Sequence, residues 1–128
     1  MTSELMSLTW VAALHLVMWV PYILNTIAAR GLVDAVGYPD NPAPLAPWAV
    51  RMKSAHYNAV ENLVVFAALV LVANAAGISN ETTVMACKLY FWARVVHLAV
   101  YTFGVPWVRT LSFAVGWLCM VALALQLL

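Results

Sequence analysis

Glu61 restricts the fold of this chain more than any other residue, because it stands at the opening of an apolar run that has to cross a bilayer. The stretch RMKSAHYNAVENLVVFAALVL, Arg51–Leu71, begins with charge, passes Asn58, Glu61 and Asn62, and continues as an apolar segment. Leu63–Ala76 holds one strongly polar residue, Asn74. A helix of about 14 residues reaches roughly 21 Å, short of a hydrocarbon core of roughly 30 Å. The helix must therefore start near Ala55, which carries Asn58, Glu61 and Asn62 below the membrane surface. An ionised carboxylate there costs on the order of 3 kcal/mol. At the helical repeat, Arg51, Ser54, Asn58, Glu61 and Asn62 share a sector of roughly 100°, a polar stripe suited to a bundle interior or a water-filled pocket. His56 lies off that stripe.

The membrane reading rests on composition. Hydrophobic residues make up 66% of the 128 residues and charged residues 9%, against about 25% charge in an ordinary soluble domain. The net charge of +1 offers no basic patch, so nucleic acid is not indicated. Cys87 and Cys119 stand inside apolar segments with no CxxC or metal-type spacing and read as packing residues.

Four spans are expected, over about residues 5–29, 53–76, 81–103 and 106–127, forming one all-α transmembrane domain. The first has no basic leader or clear cleavage site and reads as a retained helix. Pro21 should kink it, Trp19 and Tyr22 suit an interfacial belt, and His15 at mid-depth reads as a helix-to-helix hydrogen bonder. Asn25 is a weaker pocket candidate, and Arg30 marks the exit. Residues 30–50 hold four prolines and two glycines, a turn-rich connection that either covers a site or simply joins two spans, with Trp48 anchoring its end. Asn80 or Thr82 could cap the third helix, where Tyr90, Arg94, His97 and Tyr101 fall within a sector of roughly 60°. Lys88, near that helix's start, can snorkel outward. Pro106 suits the first position of the last helix, Arg109 sits one turn inside it, and Ser112, Gly116 and Cys119 form a small-residue face for close packing.

Arg30, Arg51, Lys53 and Arg109 belong to the first and third connections, whereas the second connection and both tails lack Lys and Arg. By the positive-inside rule those two connections are cytoplasmic and both termini are outside. The polar ends of the second, third and fourth helices then share one half of the membrane, where Glu61, Arg94, His97, Tyr101 and Arg109 could meet in one pocket. A Glu61–Arg94 ion pair that fixes helix register would be a structural reading. The excess of polar groups fits a small zwitterionic or anionic ligand instead: arginines for carboxylates, Glu61 for an ammonium group, Asn58 for an amide. No metal-type spacing and no Ser-His-Asp arrangement is evident.

The motif R-x3-A-H-x-N-x2-E at Arg51–Glu61, then R-x2-H-x3-Y at Arg94–Tyr101 and Pro106–Arg109 after it, resembles bacterial-type members of the MAPEG family, membrane-associated proteins in eicosanoid and glutathione metabolism. The resemblance covers all four helices in order. It implies a four-helix subunit of a homotrimer holding glutathione between neighbouring subunits toward the cytoplasmic half, with a lipophilic substrate arriving from the bilayer. Arg51, Asn58 and Glu61 match glutathione-binding residues or their supports, His97 and Tyr101 match pocket positions, and Arg94 matches the structural arginine of the third helix. Arg109 matches the arginine that stabilises the glutathione thiolate, with Thr110 beside it where a serine is often found, and Arg30 matches a first-helix arginine. Ser54 and Phe113 depart from the pattern, standing where glutathione-binding members tend to carry arginine and some carry tyrosine; Tyr57 replaces an arginine of the prostaglandin synthase type. Three functions stay open: a glutathione transferase or peroxidase, a non-catalytic lipid-binding or scaffolding protein, and an ion or proton pathway built on Glu61, His97 and Arg94.

Overall fold

The computed structural model describes residues 1–128, which form four helices and no strand: α1 Ser3–Val36, α2 Pro47–Ala75, α3 Glu81–Thr102 and α4 Pro106–Leu127. Each is long and apolar enough to span a membrane. Pro21 lies inside α1 without any departure from helical dihedrals; the one interruption is Gly31, at φ 76°. A left-handed residue costs glycine nothing sterically, so the chain breaks there and a short last turn follows.

The start of α2 differs from expectation. It begins at Pro47, not near residue 53, with proline in the first turn, where its missing N–H is not needed. The side-chain cap comes from another helix: Asn25 Oδ1 accepts from the Ala46 amide at 3.0 Å. Asn25 thus anchors this connection, as does Arg30, whose Nε donates to the Ala43 carbonyl at 2.8 Å. Asn80 caps α3 through a reciprocal pair with Thr83, and Pro106 opens α4.

α2 and α3 each pack against the other three helices, with the most extensive packing between α3 and α4, while α1 and α4 do not pack on each other. The small-residue face of α4 makes its contact possible: Ser112, Gly116 and Cys119 are buried, and a Cβ on Gly116 would sit 3.7 Å from the Tyr90 ring. Tyr90 is stacked in turn on Phe66, with centroids 3.9 Å apart.

The buried apolar residues form two clusters. One joins Val11, Phe66, Val70, Tyr90, Leu123 and both free cysteines; the other joins Met18, Tyr22, Ala49, Met52 and Ala59. Along α1 and α2 a polar residue stands between the two, His15 and Asn62, and on α3 Arg94 lies just past Tyr90.

One end of the bundle is closed by a buried carboxylate absent from the sequence expectations. Glu4, 3% exposed, accepts from Thr83 Oγ1 at 2.6 Å and Ser79 Oγ at 2.8 Å. It thereby ties the first turn of α1 to the first turn of α3, where the positive end of the helix dipole favours an anion. Asn80 reaches Gln126 of α4 at the same end.

Two stability outcomes follow from this packing. Thr83→Val removes the capping partner and a Glu4 hydrogen bond together, so it should cost about 1–3 kcal/mol, read as a lower midpoint of thermal unfolding in detergent; an unchanged midpoint would mean the carboxylate is held by other groups. Gly116→Ala should be neutral, whereas Gly116→Leu should lower the midpoint by overpacking Tyr90, a cost of about 1–3 kcal/mol.

Candidate functional site

The end of the bundle opposite Glu4 gathers the end of α1, the start of α2, the end of α3 and the start of α4. Helical phase places Arg94, His97 and Tyr101 on one face of α3, and the structure extends that face onto two neighbours. Arg94 is 3% exposed. One Nη donates to Asn58 Oδ1 on α2 at 2.8 Å, and the same nitrogen lies 3.4 Å from His97 Nδ1. The His97 ring meets Tyr101 edge-on at 5.4 Å, and the Arg109 guanidinium of α4 lies 4.8 Å from the Tyr101 ring centroid. Asn58, Arg94, His97, Tyr101 and Arg109 therefore form one continuous row from the buried core to the exposed start of α4.

Arg51 stands beside this row. Its Nε donates to the Thr102 carbonyl at 2.8 Å, one of the carbonyls left free at the end of α3, and its guanidinium packs over Gly104. Gly104, at φ 76°, lets the chain turn beneath it. A cation at a helix C-terminus is also favoured by the dipole. Thr110 is exposed, with its hydroxyl donating back to the Pro106 carbonyl at 3.3 Å.

Glu61 does not join the row. The Glu61–Arg94 ion pair of the structural reading is absent: Arg94 bonds to Asn58 and lies close to His97, and Glu61 is exposed. Small residues explain this. The buried face of α2 combines four alanines, Ala49, Ala55, Ala59 and Ala73, with Met52, His56, Phe66 and Val70, centred about 120° from the polar stripe at the helical repeat. Asn58, Asn62 and Arg51 consequently lie half-buried at the edge, with Ser54 and Glu61 outside.

Two expectations about α1, for Tyr22 and His15, also change. Tyr22 is buried instead of interfacial, because its hydroxyl pairs with His56 Nδ1 at 2.7 Å. Trp19 packs edge-on against the same imidazole at 4.5 Å. His15, expected to bond between helices, is buried with neither ring nitrogen partnered. The Tyr22–His56 tie was detectable in principle, since His56 sits off the polar stripe and Trp19 and Tyr22 share one side of α1.

The electrostatics of the row are one-sided. Arg94 has only neutral partners and its Nε has none, and Arg51 and Arg109 are likewise held by a carbonyl and an aromatic face. Three guanidinium groups with no acid bonded to them leave this end of the bundle with a positive potential. Two grooves of about 550 and 560 Å³ lie elsewhere, one between α1 and α3 and one between α3 and α4.

No curated protein and no solved structure matches the chain. A family model does, over residues 7–128, nearly the whole chain and including every residue of the row. This four-helix membrane protein belongs to the MAPEG family.

Proposed function

We propose that the chain is the subunit of a glutathione-dependent transferase or peroxidase acting on lipophilic electrophiles that reach it from the bilayer. The observation that carries this reading is the row of Asn58, Arg94, His97, Tyr101 and Arg109, with Arg51 beside it and no acid bonded to its three arginines. Glutathione brings two carboxylates, an ammonium group, two amides and a thiol, a set that arginines, Glu61 and Asn58 complement by charge and hydrogen bonding. Arg109, exposed and resting on the Tyr101 ring, is free to lie beside the sulfur, where a guanidinium favours the nucleophilic thiolate. Thr110 stands next to it, and Arg30 contributes from the end of α1.

The working form in this reading is a homotrimer. Glu61 faces outward from a membrane span, an arrangement that costs on the order of 3 kcal/mol against lipid. A neighbouring subunit that covers α2 removes that cost and brings the carboxylate to a ligand held between subunits. The concentration of Arg30, Arg51, Lys53 and Arg109 at this end supports a site on the cytoplasmic side, with both termini outside. A non-catalytic lipid-binding role is the second reading. It is favoured by Ser54 and Phe113, exposed positions that carry no charge or hydroxyphenyl group for a thiol ligand.

Calorimetry on the purified protein in detergent should show glutathione binding in the micromolar to millimolar range, weakened by Arg51→Ala and by Glu61→Gln. Arg109→Ala should lower turnover about a hundredfold or more while oligomer size is retained. Undiminished turnover in that variant would remove Arg109 from the chemistry, and a wild-type protein that binds a hydrophobic ligand but no thiol would favour the second reading.

A further inference from the structure

We propose that the groove between α1 and α3, at the end of the bundle remote from the polar row, binds the phosphate of one anionic phospholipid through Lys88. The groove has a volume of about 550 Å³ and is lined by Ser3, Met6, Ser7, Trp10, Lys88, Phe91 and Trp92. Its floor is aromatic: Trp10 and Phe91 lie 6.4 Å apart across the two helices, and Phe91 meets Trp92 edge-on at 5.2 Å. Both indoles remain more than half exposed, at 59% and 61%.

Lys88 is the lone basic residue at this end, since the other five lie in the first and third connections or the polar row. The acids nearby are committed elsewhere. Glu4 turns its carboxylate to Ser79 and Thr83, and Glu81 lines the groove on the other side of α3. An unpaired ammonium is left facing an aromatic cleft that also offers the hydroxyls of Ser3 and Ser7.

Depth selects the occupant. Lys88 lies seven residues into α3, about 10 Å along the axis from the helix start. Side chains on a helix lean toward its N-terminus, so the ammonium reaches back to the headgroup layer while the butyl stem stays among apolar groups. Trp10, seven residues into α1, then sits near the level where indoles favour the membrane interface, and Trp92, one turn deeper than Lys88 on α3, lies along the path of an acyl chain. A phosphate at Lys88 and the hydroxyls would leave its glycerol and the upper acyl chain against the indole faces. A net-negative headgroup is preferred because a zwitterionic one carries its own ammonium, which would meet the Lys88 charge. A single surface lysine supports a discrimination of about fivefold.

The test uses the full-length protein purified in detergent, titrated with phosphatidylglycerol or phosphatidylcholine of matched chains, with retained lipid counted by native mass spectrometry. Wild type should retain about fivefold more of the anionic lipid. Lys88→Gln should erase that preference, Lys88→Arg should keep it, and Lys53→Gln, an exposed basic residue at the other end, should leave it unchanged. A preference that survives Lys88→Gln, or is missing from wild type, would overturn the assignment. Equal competition by inorganic phosphate at the same concentration would overturn it too, by showing a free-anion site.

Discussion

A guanidinium buried among neutral partners sets the terms for the rest of this bundle. Arg94 stands between two apolar clusters, bonded to an amide oxygen and close to an imidazole nitrogen, with no carboxylate bonded to it. Desolvating an ion without an opposite charge costs several kcal/mol, so its neighbours must be arranged to offset as much as neutral groups can. Asn58 turns its oxygen inward, His97 offers a ring nitrogen, and Tyr101 and Arg109 continue the polar path to the surface. A positive potential remains, which would have been cancelled had Glu61 closed on Arg94.

The two ends of the bundle solve opposite problems. At one, Glu4 accepts from Ser79 and Thr83 through one carboxylate oxygen, and Asn80 donates to Gln126, joining the first turns of α1 and α3 to the last turn of α4. At the other, arginines are held by backbone carbonyls and a ring face, contacts that fix their position without consuming their charge.

Much of this was legible in the sequence because it depends on local pattern. The four spans follow from hydropathy, the starts of α3 and α4 from Asn80 and Pro106, and the α3 polar face from helical phase alone. The start of α2 was hidden because its cap, Asn25, lies on another helix 21 residues away. The orientation of α2 was missed for a different reason. In a membrane bundle the packing face is marked by small residues that allow close approach, and Ala49, Ala55, Ala59 and Ala73 mark it here more faithfully than the polar stripe does. Glu4 was overlooked because the partners that hold it stand 75 and 79 residues further along the chain.

The cap that Asn25 provides for α2 bears on how the protein is assembled in the bilayer. The amide of Ala46 has its side-chain acceptor only while α1 lies alongside, and the Tyr22–His56 bond fastens the same two helices one turn deeper. α1 and α2 thus behave as a single hairpin whose first contacts involve no later part of the chain. That hairpin can be complete as the ribosome delivers α3, which then arrives at a formed surface with Asn58 already in place for its arginine.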